Sequence, residues 1–146
     1  MSSTFLSLHY HIVFSTKDRR AIIDPNWELQ LYEYLGGTVN GLGGFTQGVG
    51  GTSDHVHLLV GLKSTHCLAD FLRELKKASS IWAHQHTSTF AWQEGYGAFT
   101  VSPTARNSVC RYIAHQAQHH AKKSFSEEFI DLLTEAGVSY DKRFLD

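Results

Sequence analysis

The first segment of the chain alternates strictly between apolar and polar residues. Its apolar positions are Leu6, Leu8, Tyr10, Ile12 and Phe14, and the positions between them include Ser7, His9 and His11. A period of two places the two sets of side chains on opposite faces of an extended segment. The pattern therefore predicts a β-strand that buries only one face.

Strand-like and helix-like patterns then follow one another along the rest of the chain. Strands are predicted around 45–49, at 55–62 and at 98–101, and helices at 26–40, 67–86, 102–123 and 126–136. The order β-α-β-β-α-β, followed by two added helices, matches the split arrangement of ferredoxin-like folds. We therefore predict an α+β fold with an antiparallel sheet and additional C-terminal helices.

Glycine is concentrated in one part of the chain, since eight of the twelve glycines lie between residues 36 and 51. The segment contains no Gly-Lys-Ser or Gly-Lys-Thr sequence, so it does not have the pattern of a phosphate-binding P-loop. We interpret these residues as loop, bulge and strand-end glycines.

Length and composition predict one domain that spans residues 1–146, because a chain of this size with 42% hydrophobic residues can bury a core. No apolar run approaches the roughly 20 residues of a membrane span, and the first residues carry no basic segment of the kind that opens a signal peptide. We expect a soluble, cytoplasmic protein. Cys67 and Cys110 form no C-x-x-C pair, which argues against a thiolate zinc site.

The net charge of −1 argues against a protein that coats nucleic acid by bulk electrostatics. The charge is nevertheless uneven, because residues 63–123 carry eight basic and three acidic residues while both flanking segments are acidic. The basic segment could face phosphate groups, or it could consist of ordinary solvated helix faces.

Three His-x-His triplets are candidates for metal binding: His9 and His11, His55 and His57, and His84 and His86. The last pair lies on a predicted helix, where residues two apart point about 200° apart and cannot share an ion. The first pair shares a strand face but has no obvious third ligand. The middle pair lies on a predicted central strand, so both imidazoles project from one face and can converge on one cation. The pattern alone leaves open whether this pair binds a metal or is merely buried.

Tyr112 and Gln116 lie one turn apart on a predicted helix and therefore share a face. A tyrosine on such a helix ordinarily packs in the core, because its ring is apolar and its hydroxyl easily finds a partner. The helix pattern alone does not distinguish a packing role from a chemical one.

Several segments, in order along nearly the whole chain, resemble the single-tyrosine HUH transposases, which are the TnpA-type enzymes of small insertion sequences and their REP-associated relatives. The segments are HYHIVFSTKDRR, SDHVHLLV, LADFLRELKKASS, WQEGYGAFTVS, VCRYIAHQAQHHAKKSFSEEF and GVSYDKRFL. HUH denotes histidine, hydrophobe, histidine, here His55-Val56-His57. The chain departs from the pattern at His115, where many members have asparagine, and around Thr65 to Cys67.

The resemblance implies an enzyme that cleaves and rejoins single-stranded DNA through a 5′-phosphotyrosine intermediate. His55, His57 and Gln116 would hold a divalent metal, Mg²⁺ or Mn²⁺, and Tyr112, on the added C-terminal helices, would be the nucleophile. No nucleotide cofactor is expected, because the phosphotyrosine link conserves the energy of the broken bond. A phenol with a pKa of about 10 needs a base or the metal for activation, and the candidates are His115, His119 and His120.

The resemblance also implies partners. Such enzymes recognise DNA hairpins, whose backbone Lys17, Arg19, Arg20, Lys76 and Lys77 could contact. They are homodimers, and we expect active sites that are shared between protomers. Two other functions remain open: a domesticated relative that binds hairpin nucleic acid as a regulator, and a metal-dependent phosphodiesterase that uses water.

Overall fold

The computed structural model describes residues 3–145 and contains a four-stranded antiparallel sheet. The strands are β1 (His9–Ser15), β2 (Phe45–Gly51), β3 (His55–Gly61) and β4 (Gly97–Thr100), and the helices are α1 (Glu28–Gly41), α2 (Leu68–Ala83), α3 (Arg106–Ala114), α4 (Gln116–His120) and α5 (Phe125–Glu135). The strand order is β2-β3-β1-β4, so β1 and β3 are central. This order and the two connecting helices confirm the predicted ferredoxin-like α+β fold.

The two faces of the sheet serve different purposes. The even-numbered residues of β3, Val56, Leu58 and Val60, are buried with α1 and α2 in the main hydrophobic core. The odd-numbered residues project to the other face, where Leu59 packs with Val101 and Ile113 in a second apolar cluster. His55 and His57 share this second face with Leu59 because strand residues alternate in direction. Helix α3 covers it.

Helix α3 lies unusually close to the edge strand β2, and a glycine makes this approach possible. A Cβ atom added at Gly50 would lie 2.3 Å from the carbonyl oxygen of Ile113. Such a distance is far below van der Waals contact, so any side chain at position 50 would push α3 away from the sheet. The strand also shows the expected bulge, because its pairing with β3 shifts register between Thr46 and Gly48.

The interpretation of the glycine cluster was partly wrong, since Gly36, Gly37 and Gly41 lie within α1. Glycine is a poor helix former, so its density suggested a loop. The helix is stabilised instead by its buried face, which includes Leu31, Leu35 and Val39.

The single helix predicted at 102–123 is divided in the structure. After a short 3₁₀ turn, Pro103–Ala105, helix α3 ends at Ala114, and His115 has non-helical torsion angles of −109° and 28°. Helix α4 then starts at Gln116, whose side-chain amide donates to the carbonyl oxygen of Tyr112 at 3.4 Å. The division turns Gln116 inward, and this tertiary preference is absent from the hydrophobic pattern.

Helix α5 is the last α-helix of the described residues and begins with a capping box. The hydroxyl of Ser124 accepts from the backbone N–H of Glu127, whose side chain accepts from the backbone N–H of Ser124. Phe125 and Leu133 are buried on its inner face, together with one charged residue, Glu128. Among the described helices, none combines the length and the apolar character that a bilayer crossing requires.

Candidate metal and tyrosine site

His55 and His57 are fully buried side by side on β3. Their ring centroids are 5.1 Å apart, and the Nε2 atoms of both rings face one carboxylate. The pair arises directly from the period of two, which directs residues i and i+2 of a strand to the same face. A central strand holds them rigidly.

The carboxylate belongs to Glu128 of α5, which is only 2% exposed. Its Oε1 atom lies 3.0 Å from Nε2 of His57, 3.0 Å from Nε2 of His120 and 3.5 Å from Nε2 of His55. Three imidazoles from two elements, β3 and α4, thus surround one carboxylate oxygen.

Each of the three rings is held from behind through its Nδ1 atom. Nδ1 of His55 lies 2.7 Å from Oδ1 of Asp54, and Nδ1 of His57 lies 2.8 Å from Nε2 of His11. Nδ1 of His120 donates to the backbone carbonyl oxygen of Lys123 at 2.6 Å. Partners of this kind orient the rings of metal-binding histidines, so that the opposite nitrogen points to the ion.

Gln116 contributes an amide oxygen to the same place. Its Oε1 atom lies 2.9 Å from Nε2 of His55, and its Nε2 atom donates to Oε2 of Glu128 at 3.1 Å. The orientation of the amide is fixed, because its nitrogen faces oxygen acceptors. The side chain is buried although it begins helix α4.

Tyr112 reaches the cluster from α3. Its hydroxyl donates to Oε2 of Glu128, the oxygen that does not face the three histidines. The ring centroid of Tyr112 is 5.7 Å from that of His57. The candidate nucleophile and the histidine pair are therefore connected through one carboxylate within a single chain.

Burial and the contacts within the cluster determine its protonation. Burial lowers the pKa of His57 to about 4, and burial together with the nearby His57 lowers the pKa of His11 to about 3. Burial also raises the pKa of Tyr112 above its ordinary range, and the hydrogen bond to Glu128 adds to this effect. Burial alone would raise the pKa of Glu128, but hydrogen bonds from His57 and Tyr112 outweigh it and hold that pKa well below its usual value.

The donor set fits a divalent metal ion. One ligand atom from each of His55, His57, His120 and Glu128 lies within 4.8 Å of the others. Neutral imidazole and ionised carboxylate are the forms that bind metals, and burial of His57 and the low pKa of Glu128 favour them at neutral pH. This group can therefore hold a metal.

Comparison with known protein families identifies the group to which the sequence is related. The model of the family described as transposase, IS200-like, matches residues 4–116, which is more than half of the chain. The chain belongs to the IS200-like transposase family.

Two solved structures of transposases are similar to this chain. A candidate transposase from Deinococcus radiodurans R1 has a TM-score of 0.64 and 24% sequence identity, with 80% of this chain and 96% of that chain covered. A REP-associated tyrosine transposase bound to a REP hairpin has a TM-score of 0.61 and 14% identity, with coverage of 82% and 74%. At these identities the similarity establishes a shared fold. No curated protein matches the sequence significantly.

The other candidate histidines are not among the four residues that surround the candidate metal position, His55, His57, His120 and Glu128. His9 contacts the side chain of Gln47, and His84 contacts the carbonyl oxygen of Phe90. His11 lies behind His57, where its Nε2 atom is 2.8 Å from Nδ1 of His57. Among the three bases proposed for Tyr112, His115 is exposed and donates to the carbonyl oxygen of its own helix, whereas His120 lies in the cluster. His119 is half-buried, and its Nε2 atom lies 3.6 Å from Oε2 of Glu128.

The five basic residues proposed to contact DNA lie on two surface segments. Lys17, Arg19 and Arg20 lie in and beside a short 3₁₀ turn that follows β1, and Lys77 is exposed on α2. Lys76 differs from them, because its ammonium group donates to the carbonyl oxygens of Gln93 and Gly95 at 2.6 and 2.7 Å. In this structure Lys76 therefore anchors the segment before β4, and DNA contact by the five residues stays a prediction.

Glu128 is the residue that the sequence prediction missed. A glutamate in the first turn of a helix usually faces solvent, where it interacts favourably with the helix dipole. One signal was present, because Phe125, Phe129 and Leu132 recur at helical spacing and Glu128 falls within this apolar stripe. A charged residue in an apolar stripe indicates a buried partner.

Proposed function

We propose that the protein is a transposase that cleaves single-stranded DNA and transfers the strand through a 5′-phosphotyrosine intermediate. The observation that supports the proposal most directly is that Tyr112 and the pair His55 and His57 meet at one buried carboxylate, although they come from separate elements. A tyrosine that only packs in a core does not need an ionised partner. Membership of the IS200-like family supports the same function.

In the proposed reaction, the phenol oxygen of Tyr112 attacks the scissile phosphorus and the bond from phosphorus to the 3′ oxygen breaks. The DNA downstream of the cut is left joined to the protein through its 5′ phosphate, and the upstream strand ends in a 3′ hydroxyl. Glu128 accepts the hydrogen bond of the Tyr112 hydroxyl through Oε2, so it is placed to take the phenol proton and to pass it on to the departing 3′ oxygen. Reversal of the reaction by a second 3′ hydroxyl rejoins the strand without a nucleotide cofactor.

His55, His57 and Gln116 are proposed to hold the divalent metal. A bound ion would polarise the scissile phosphate and offset the charge that develops on it. In support of this set, Nε2 of His55 lies 2.9 Å from Oε1 of Gln116, and the Nε2 atoms of both histidines face Oε1 of Glu128. The chain contributes the positions of these donors, which β3 and α4 fix.

The proposed substrate is single-stranded DNA with hairpin ends. The structural neighbour with a TM-score of 0.61 was bound to a REP hairpin, and we extend this substrate class to the present chain. Lys17, Arg20 and Lys77 are exposed and could bind the phosphate backbone, which would position the hairpin without reading its sequence.

We further propose a homodimer that shares its active sites. In the single chain Tyr112 already lies at its own histidines, but an exchanged segment makes the same contacts with a partner that it makes within its own chain. Exchange of everything after Ser102 would carry Tyr112, Gln116 and Glu128 to the partner as one unit. The contacts described above would then form between protomers.

A denaturing gel tests the proposed function against its alternatives. Single-stranded DNA from the genomic flanks of the gene is incubated with the protein and Mn²⁺, with the label on either the 5′ or the 3′ end. We expect a protein adduct that carries only the 3′ label, because the downstream strand is the one joined to Tyr112. Free hydrolysed product in both cases would indicate a phosphodiesterase instead, and bound but uncut DNA would indicate a non-cleaving regulator.

A further inference from the structure

Two histidines of the cluster, His55 and His120, have oxygen atoms next to both of their ring nitrogens. His120 lies between two oxygen acceptors, the carbonyl oxygen of Lys123 at Nδ1 and Oε1 of Glu128 at Nε2. An oxygen that faces Nε2 can accept from an N–H group there, or the oxygen and the nitrogen can both bind a cation that lies between them.

His55 shows the same arrangement. Its Nδ1 atom faces the carboxylate of Asp54 at 2.7 Å, and its Nε2 atom faces Oε1 of Gln116 at 2.9 Å. The amide of Gln116 cannot be turned to donate to His55, because its nitrogen already faces two oxygen acceptors. In both rings the Nε2 atom lies on the side that faces Oε1 of Glu128.

The distances between the donor atoms match the distances between neighbouring ligands of a bound metal ion. Ligands about 2.1 Å from an ion are about 3.0 Å apart in octahedral geometry and about 3.4 Å apart in tetrahedral geometry. Oε1 of Glu128 lies 3.0, 3.0 and 3.5 Å from the Nε2 atoms of His57, His120 and His55. All four ligand atoms also lie within 4.8 Å of one another, so one ion placed among them can contact all four residues.

We propose that Glu128 and His120 are metal ligands, together with His55 and His57, and that the ion is a first-row transition metal rather than Mg²⁺. Three imidazoles suit manganese, cobalt or zinc, whereas magnesium prefers oxygen ligands and retains water. The inference rests on the proposed function, because both require a metal at His55 and His57. It adds that α5, which lies after the family match to residues 4–116, completes the site.

The two carboxylate oxygens of Glu128 contact different groups, one the histidines and the other the tyrosine and the glutamine. Oε1 faces the three histidines, and Oε2 accepts from Tyr112 and Gln116. Metal binding at Oε1 therefore fixes the oxygen that holds the nucleophile. Glu128 couples the position of the Tyr112 hydroxyl to occupancy of the metal site.

The number of ligating histidines can be counted in the wild-type protein. An imidazole that binds Co²⁺ through Nε2 keeps its proton on Nδ1, and this proton gives a strongly shifted, exchangeable ¹H NMR signal. We expect three such signals in the Co²⁺-loaded protein, from His55, His57 and His120. Two signals would overturn the assignment of His120. A large molar excess of Mg²⁺ should leave the signals in place, and their loss would refute the proposed metal preference.

Affinity measurements on variants test each new ligand. Glu128→Gln and His120→Ala should each weaken Co²⁺ and Mn²⁺ binding by at least about tenfold in calorimetric titrations of metal-free protein. The matched controls are Glu135→Gln, which removes an exposed charge from the same helix, and His115→Ala, which removes an exposed imidazole outside the cluster. Both controls should bind within about twofold of wild type. Thermal unfolding without metal verifies that each variant is folded.

The outcomes separate this inference from the proposed function. If the wild type binds Co²⁺ with two histidine signals and Glu128→Gln binds it equally well, the new ligands are refuted while metal binding at His55 and His57 stands. If the wild type binds no metal, the metal site is refuted in both proposals. Formation of the DNA adduct in the gel assay is read independently of either result.

Discussion

Replacement of Tyr112 by phenylalanine is the sharpest test of the proposed chemistry. The change removes one oxygen atom and leaves the ring, so the packing of α3 against β3 is kept. Without the phenol oxygen no phosphotyrosine bond can form, and we expect the adduct to be absent even at long reaction times. Binding of hairpin DNA should stay within a few-fold of wild type, because the hydroxyl is not among the basic groups proposed to hold the backbone.

The effect on stability can be worked out from the structure. The hydroxyl donates one hydrogen bond to a buried carboxylate, and Glu128 keeps contacts with His57, His120 and Gln116 when the bond is lost. Loss of one such bond costs about 1–2 kcal/mol of the free energy of unfolding. For a chain of this length, about 1 kcal/mol lowers Tm by about 3 °C, so we expect a decrease of about 3–6 °C. The protein therefore stays folded at assay temperature.

The assay uses single-stranded DNA labelled at its 3′ end, Mn²⁺ and separation on a denaturing gel. Tyr34→Phe is the matched control, since Tyr34 lies on α1 and stacks on Trp82, on the other side of the sheet from the site. This variant should form adduct at the wild-type rate. Adduct formation by Tyr112→Phe at a rate near that of wild type would refute the assignment of the nucleophile.

Four further predictions concern the metal, the packing of α3, the protomers and pH. His57→Ala should lower the cleavage rate and shift its Mn²⁺ dependence to higher concentration, and a titration that superimposes on wild type would contradict its role as a ligand. Gly50→Ala should displace α3 and reduce adduct formation by about 100-fold, because the added Cβ meets a backbone oxygen at 2.3 Å. The control is Gly37→Ala, a helical site with no atom within 4 Å of the added Cβ. This variant should keep full activity, and its free energy of unfolding should rise by about 0.5–1 kcal/mol. Mixing Tyr112→Phe with the double variant His55→Ala, His57→Ala should restore cleavage through one intact composite site, and verified heterodimers that stay inactive would show that the tyrosine acts within its own chain. Finally, burial lowers the pKa of His57 to about 4, so the unfolded chain binds a proton there more readily than the folded one. The free energy of unfolding of the metal-free protein should therefore be maximal above about pH 6.5 and fall towards pH 4. Chemical denaturation at several pH values measures this free energy, and His57→Ala should show a weaker dependence on pH.

Most of the fold could be predicted because its hydrophobic pattern is local and regular. The alternation along β1 and β3 identified both central strands, and it placed His55 and His57 together on one face. The start of β1 was predicted too early, since Leu6 is exposed and the strand begins at His9. The alternation continues before His9, but the regular pairing with β3 starts only at the pair His9 and Gly61. The sequence alone does not show where this pairing starts.

The parts of the site that could not be predicted depend on contacts between distant segments. The break at His115 is not marked by proline or glycine, and the segment retains helical periodicity across it. Gln116 and His120 turn inward because Glu128, from the next helix, lies opposite them. A buried polar network of this kind becomes visible only when all its members are placed in three dimensions.

The distribution of the site along the chain gives the mixing experiment its physical basis. Tyr112, Gln116 and Glu128 contact one another, and all lie after the short turn that follows β4. They form one unit that meets the two histidines of β3 through Nε2 contacts to Glu128 and Gln116 and through ring contacts with Tyr112, His120 and Phe125. Transfer of this unit to a partner would therefore leave its internal hydrogen bonds intact and would exchange only contacts that the partner's identical strand can replace. A heterodimer with one complete set of histidines and one complete unit should then cleave DNA at about half the rate of wild type, because one of its two sites is complete.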